Sequence, residues 1–397
     1  MIKKYKIIFI NQMAGPLFRE MAEDISKRLS PALLFTGHPD TLKATPIATL
    51  SIIATPEYRR KNNATRILSW IQYFICVLIR CWCQGRGALL FIVSNPPFIG
   101  IIGYLFKRLR GQRYVFLVYD LVPDVLIKFG PLKESGVITR LWRRMNRLVW
   151  ENAEIVFTLS DQMAGNLERW FDVQKTRAGK VIVIPNWADV DWIRPMAKDK
   201  NEFARKYKQV EKLTVMYSGN LGAAHDIETM LGSAKRLKEN DAVHFMIIGD
   251  GAKKDLVEKA KLEAGLDNLT VLPIQPEKIL PALLSTGDLA VISLDNGSEG
   301  LMVPSKTYYS MAAGAALIGL CDKNCEVARI ISRYECGIVV TPGDIDAMMD
   351  GIIDLLGDKS KLNHYRANSR IAAEKFYSRK NTSQYLEALA TVIPSEQ

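Results

Sequence analysis

Short β-rich runs, each ending in a loop and followed by a helical segment, recur along almost all of this 397-residue chain. No other feature limits the fold so strongly. Strands that alternate with helices lie parallel in one sheet, and the helices cover its faces. In the first half the strand candidates are residues 5–10, 31–35, 49–54, 89–93, 114–118, 155–159 and 181–184. A polar, Lys-rich stretch at 190–212 interrupts the pattern. It then restarts with 214–217, 243–248, 269–272, 289–294, 317–320 and 337–340. The expectation is α/β architecture in two Rossmann-like domains facing each other across a cleft. Ligands would lie at the carboxyl ends of both sheets. The first domain is placed at 1–192, the linker near 192–199 and the second domain at 200–375. A last amphipathic helix, within 376–397, crosses back to the first domain.

Charge divides the two halves. Residues 1–195 hold 28 Lys and Arg against 15 Asp and Glu, so they carry the whole excess behind the net charge of +11. A basic half beside a near-neutral half points to a directed surface for anionic lipid, nucleic acid or a phosphorylated acceptor. The basic residues are not interleaved with a nucleic-acid-binding motif, so nucleic acid is not expected as a partner. The six cysteines form no Cys-x-x-Cys pair and the four histidines are scattered. Neither a metal site nor a disulfide framework is expected; buried free thiols are. The opening MIKKYKIIFI is too short an apolar run for a signal peptide and reads as a first strand in a cytoplasmic protein.

Several stretches combine chemistry with position. Pro304 suits a first helical turn, and Ser305, Lys306 and Thr307 fall where the free amides of a helix start point outward. That start, with the charge of Lys306, reads as a phosphate site; an ordinary helix start with a solvated lysine is the alternative. Gly219, Asn220 and Gly222 follow a strand and precede a helix, so backbone there can approach a ligand closely. Asp120 and Asp124 end another strand, as site carboxylates or as a turn with a helix cap. Gly15 lies in the loop after the first strand.

Two segments read as surface-directed. The uncharged run 67–79 has 13 residues where a membrane span needs roughly 20. It is flanked by Arg59, Arg60, Lys61, Arg66, Arg80 and Arg86 and carries Trp70, Tyr73 and Phe74, with Trp82 just beyond. It reads as a core helix or as one lying at a membrane surface, each by a different face. Arg140, Arg143, Arg144 and Arg147 step by three and four along one helix face, with no evident acid to match them.

Six motifs in order carry a family resemblance: DLVPD at 120–124, IPNWADVD at 184–191, YSGNLGAAHDIE at 217–228, GDG at 249–251, VPSKTYYSMAAG at 303–314 and CGIVVTPGD at 336–344. Together the chain resembles glycosyltransferase family 4, of GT-B fold. It is most similar to the bacterial enzymes of exopolysaccharide, O-antigen and colanic acid assembly. The resemblance implies a nucleotide-sugar donor in the second domain, a saccharide acceptor on a polyprenyl diphosphate in the first, retention of anomeric configuration and no metal or other cofactor. Gly219, Asn220 and Gly222 would approach the donor diphosphate. Lys306 with the amides of Ser305 and Thr307 would complete its pocket. The loop with Ile274 and Gln275 would hold the base.

The chain departs from the family pattern at four positions. Asn220 and His225 stand where many members have arginine and lysine. Tyr309 replaces the second of two glutamates, with Glu299 near the first, and Tyr119 replaces a histidine. Asp120 or Asp124 would orient the acceptor hydroxyl or the cation-like sugar. Arg140, Arg143, Arg144 and Arg147, with the 59–86 segment and Gly15, form the acceptor and membrane side, on the inner face of the plasma membrane. A nucleotide-sugar epimerase of the same fold and an inactive sugar-nucleotide-binding module are the alternatives.

Overall fold

A computed structural model describes residues 4–59, 61–171, 179–222, 225–294 and 297–393. Arg60 and the alanines of the 217–228 motif lie outside the described residues. The chain divides into two compact units: Met1–Pro185 with Arg379–Gln397, and Asn186–Ser378.

In the first unit the strands are β1 (Ile7–Ile10), β2 (Ala32–Thr36), β3 (Leu50–Ala54), β4 (Leu89–Val93), β5 (Tyr114–Leu117), β6 (Val156–Thr158) and β7 (Val181–Val183). Its helices are α1 (Pro16–Arg28), α2 (Pro39–Lys43), α3 (Asn63–Trp82), α4 (Gly100–Arg110), α5 (Asp124–Phe129), α6 (Val137–Asn152) and α7 (Asp161–Glu168). The sheet is parallel throughout, in the order β3-β2-β1-β4-β5-β6-β7. Continuous apolar runs such as Ile7–Ile10 and Leu89–Val93 are buried on both faces, as helices on both sides of a parallel sheet require.

The second unit has strands β8 (Leu213–Asn220), β9 (Val243–Asp250), β10 (Leu269–Leu272), β11 (Leu289–Ser293), β12 (Ala316–Leu320) and β13 (Gly337–Val340). Its helices are α8 (Glu202–Lys206), α9 (Glu228–Arg236), α10 (Lys254–Ala264), α11 (Leu280–Leu284), α12 (Lys306–Ala312), α13 (Glu326–Tyr334), α14 (Ile345–Gly357) and α15 (Lys359–Phe376). Its sheet is also parallel, ordered β10-β9-β8-β11-β12-β13. In each sheet the strand order reverses once, between β1 and β4 and between β8 and β11. Beyond the carboxyl ends of the strands, that reversal leaves a crevice for a ligand.

The boundaries differ from those read in the sequence. Residues 186–191, placed with the first domain, and 192–199, placed as a linker, are both part of the second unit. The Arg370 guanidinium donates to the carbonyls of Val190, Ile193 and Ala312, and Lys198 pairs with the buried Asp288. Side chains far along the chain hold the stretch, which local composition does not show. The last helix, α16 (Thr382–Ala390), belongs to the first unit. It is shorter than expected, because a break at 377–381 separates it from α15. Arg379 donates from Nε and Nη2 to both carboxylate oxygens of Asp24, at 2.7 and 2.9 Å. Tyr385 is buried against the rings of Phe91 and Phe157.

The six cysteines are free; four are buried, while Cys76 is half-buried and Cys83 is exposed. The uncharged run at 67–79 lies inside α3, which is 20 residues long and apolar enough to cross a membrane by length and composition. Asn62 caps it by accepting from the Thr65 amide, which starts the helix before the apolar run begins. One face packs inward through Ser69, Tyr73, Val77 and Cys81.

Candidate active site

At the reversal point of the second sheet, Lys306 opens α12 beside the end of β8. Its ammonium is buried with no hydrogen-bond partner among the described residues. It sits 3.8 Å from the centre of the Tyr217 ring. Burial alone pushes its pKa from 10.5 down to about 7. A buried cation without a counter-charge is costly unless something anionic joins it. The hydroxyl of the next residue, Thr307, is also buried, with no partner among the described residues.

The helix-start amides do not behave as the sequence implied. The Thr307 amide donates to the Pro304 carbonyl at 3.1 Å, and the Tyr308 amide to that of Ser305. Pro304 and Ser305 form a tight turn ahead of the helix, so the Thr307 amide is already used. Ser305 is the N-cap, with no side-chain capping bond. The lysine, rather than the amide of Thr307, is left to meet an anion.

His225 lies on the same crevice. Its Nδ1 is 2.8 Å from the Ser293 carbonyl, which can only accept, so Nδ1 carries the proton. Burial first, then the charge of Lys306, lowers its pKa to about 4. His225 is therefore a neutral ring offering Nε2 as an acceptor, and not a second cation in place of the family's lysine.

Asn220 is exposed at the end of β8, beside Asp250 of β9. Gly219 has φ +140°, a conformation that favours glycine. A Cβ on Gly249 would lie 1.9 Å from the Gly219 carbonyl oxygen, so the two strand ends touch as only glycine permits. At Gly222 a Cβ would meet the Asn220 amide nitrogen at 2.7 Å. Glu299 accepts from the Gly297 amide, Tyr309 is half-buried on α12, and Ile274 is exposed on the loop after β10. In that loop Gln275 donates to the Pro273 carbonyl. Tyr217, the platform under Lys306, belongs to a quoted motif but had no role assigned from sequence. Its place in the strand register was the available signal.

The first unit holds a cavity of 580 Å³. Its floor is the strand-end residues Ser94, Asn95, Tyr119 and Asp120; its walls come from α3, α5 and α6. Asp120 is open to this recess, and desolvation in it raises the carboxyl to about 6. Asp124 is not a free acid. It opens α5 and accepts from Arg143 at 2.6 Å. The expectation of four unmatched arginines is corrected with it. Arg143 is tied to Asp124 and lies 4.6 Å from the Trp170 ring, and Arg147 bonds Glu151 one turn on. The acids were missed because one comes from another helix and the other from the same helix beyond the run. Arg140 and Arg144 are exposed on α6 beside Val137, Ile138 and Leu141. Gly15 is the N-cap of α1, just past the end of β1, with an ordinary φ of −71°. Among the described residues no group of three or more His, Cys, Asp or Glu side chains is placed to hold a metal ion.

Comparisons with known proteins agree on one family. A glycosyl transferase 4-like domain matches residues 21–187, and a domain described as glycosyl transferases group 1 matches 198–372. The chain is 29% identical over 303 residues to a probable glycosyltransferase, WbjE, of Pseudomonas aeruginosa, covering 74% of each chain. It is 26% identical over 254 residues to WcaI of Escherichia coli strain K12, a putative colanic acid biosynthesis glycosyl transferase, covering 62% of this chain and 61% of that one. Among solved structures, Anabaena HepE with UDP aligns at a TM-score of 0.74 and 15% identity, over 97% of this chain and 100% of that one. Sucrose-phosphate synthase of Thermosynechococcus elongatus aligns at 0.76 and 15% identity, over 98% of each. The chain is a glycosyltransferase of the GT-B fold, made of a glycosyl transferase 4-like domain followed by a group 1 domain.

Proposed function

We propose that this glycosyltransferase moves a sugar from a nucleotide-sugar donor, held by the second unit, to a lipid-linked saccharide held by the first. The product would enter a cell-surface polysaccharide. The enzyme would work in the cytoplasm, peripherally bound to the inner face of the plasma membrane. HepE has been seen with UDP and with UDP-glucose, and WcaI is named for colanic acid biosynthesis. Those names support the donor and polysaccharide parts of the reading.

The observation that carries it is the buried, unpaired ammonium of Lys306 at the reversal point of the second sheet. Breaking the sugar–phosphate bond leaves charge on the departing diphosphate. A positioned cation in a water-poor place stabilises that charge as it develops. Lys306 supplies it from the protein, so no metal cofactor is invoked. In the first unit, Asp120 would accept a hydrogen bond from the acceptor hydroxyl and orient it. Retention of anomeric configuration rests on the family resemblance, and the donor phosphate itself is the candidate to take the hydroxyl proton.

Lys306→Met is expected to lower kcat by about 10²–10³-fold, the cost of removing one such stabilising group, and EDTA should leave the wild-type rate unchanged. Turnover of UDP-sugars, with membrane extract as the acceptor source, measures both. A Lys306→Met enzyme at full rate would overturn the assignment.

A further inference from the structure

Two of the buried cysteines lie together in the second unit. Cys321 follows the end of β12, and Cys325 is the N-cap of α13. Their thiols meet in a hydrogen bond, with the Cys321 S–H donating to the Cys325 sulfur. That sulfur also accepts from the Ala328 amide at 3.5 Å. Other buried cysteines behave as small apolar side chains. Burial raises the Cys81 thiol, and Cys336 turns its thiol to the Ile330 carbonyl at 3.9 Å.

A cysteine sulfur is a nucleophile as the thiolate. At Cys325 the bond from Cys321, with the Ala328 and Val327 amides at the start of α13, holds the group below the ordinary thiol range, against burial and the charge of Glu299. The same bond and burial push Cys321 up. One thiol is set to attack, and its neighbour is in place to resolve. Both are 1% exposed, under a short surface turn whose Lys323 and Asn324 are exposed. Lifting one exposed turn costs far less than opening the unit.

The pair also sits beside the donor crevice. Ser293, whose carbonyl holds His225, pairs in register with Leu320, and the Leu294 amide donates to the Leu320 carbonyl at 3.0 Å. From that strand end the chain runs past Glu299 to Lys306.

We propose that Cys321 and Cys325 form a redox-active dithiol that closes to a disulfide and thereby rearranges the 297–305 stretch ahead of α12. The oxidant is a low-molecular-weight disulfide such as oxidised glutathione. The Cys325 thiolate attacks one of its sulfurs, forming a mixed disulfide and releasing one glutathione thiolate. Cys321 then loses its proton and attacks the Cys325 sulfur, expelling the second. Two protein thiols are oxidised, one glutathione disulfide is reduced, and the two protons end on the released thiols. In the cytoplasm such a bond is transient, which suits a switch and not a permanent staple.

The test treats the full chain with oxidised glutathione, blocks the remaining thiols and digests with trypsin. Trypsin cuts after Lys323, between the two cysteines, so the disulfide is read by mass spectrometry as a linked peptide pair. The pair should form in the native protein and vanish with dithiothreitol, while the exposed Cys83 takes glutathione alone. Cys321→Ser should instead trap glutathione on Cys325. Hydrogen exchange over 297–305 should change about threefold or more on oxidation of the wild type and stay unchanged in Cys321→Ser; the wild-type comparison stands even where the variant fails to fold. No linked pair when Cys83 is fully modified, a pair formed only in urea, or a pair without any change in exchange would overturn the proposal. None of these readouts uses a donor, so they are independent of the Lys306 assignment.

Discussion

Lys306 holds its charge where charge is expensive, and that cost makes two measurements informative. Its pKa is about 7 in the folded protein and near 10.5 once unfolded. Between those values the unfolded chain binds more protons, so stability rises with pH from about 7 to 10.5 and the penalty is complete below 7. The Lys306→Met enzyme, impaired in turnover, should therefore be more stable at neutral pH. The gain should be on the order of 1–3 kcal/mol in a ligand-free melt and should shrink toward pH 10. Asp120 works in the opposite sense. Its carboxyl is raised to about 6 by desolvation, so only above that value does it carry the full charge that makes it a strong acceptor. Activity should rise as pH climbs through 6. Asp120→Asn, which keeps an acceptor oxygen but loses the charge, should lower kcat by about tenfold and remove that limb of the pH–rate profile. Were the limb to persist in the variant, another group would be responsible for it.

Helices α3 and α6 each present two faces of different character. On α3 the inner row, Ser69, Tyr73, Val77 and Cys81, packs into the unit, and Tyr73 donates to the Phe35 carbonyl at 3.0 Å. Its outer row remains apolar. Along α6 the arginines separate in the same way. Arg140 and Arg144 are exposed among Val137, Ile138 and Leu141, while Arg143 is engaged with Asp124. An exposed face mixing apolar and basic side chains suits the surface of an anionic bilayer. Reversing Arg140 and Arg144 to glutamate should weaken flotation with anionic vesicles about tenfold or more, at about 1 kcal/mol per charge, and leave the melting curve unchanged. Arg143→Ala should do the reverse, costing about 1.5–3 kcal/mol of stability with little effect on vesicle binding. Equal vesicle affinity in all three proteins would exclude α6 as the docking face.

At the scale of the molecule, the first unit is assembled from both ends of the chain. Burial pushes the Asp24 carboxyl upward, yet the Arg379 guanidinium and Lys27 hold it below its ordinary value. Arg113 also donates to the Val392 carbonyl, at 2.5 Å. Removing residues 379–397 would expose Phe91 and Phe157 where Tyr385 now covers them. Losing one buried aromatic costs about 3–5 kcal/mol, a large part of the roughly 5–15 kcal/mol that holds a domain. A chain ending at Ser378 should therefore keep the calorimetric transition of the second unit and lose that of the first. Limited proteolysis should then release the second unit intact. Two transitions persisting in the shortened chain would show that α16 is dispensable.

The alternation of strand and helix, the parallel sheets and the positions of the glycine-bearing loops were legible from residue order, because they depend on local periodicity and on backbone freedom at single residues. Asp120 could be singled out because it lies just past a strand end, and Lys306 because Pro304 marks the helix start that it opens. What residue order could not show was the company those side chains keep. Thr307 loses its amide to Pro304, Asp124 is taken by Arg143, and His225 is held neutral beside Lys306. The stretch 192–199, which read as a linker, is held by Arg370 and Asp288 from much later in the chain. Those outcomes come from contacts between distant segments and from the withdrawal of water around charged groups. Both exist only after the strands have been set in order and the helices packed on them.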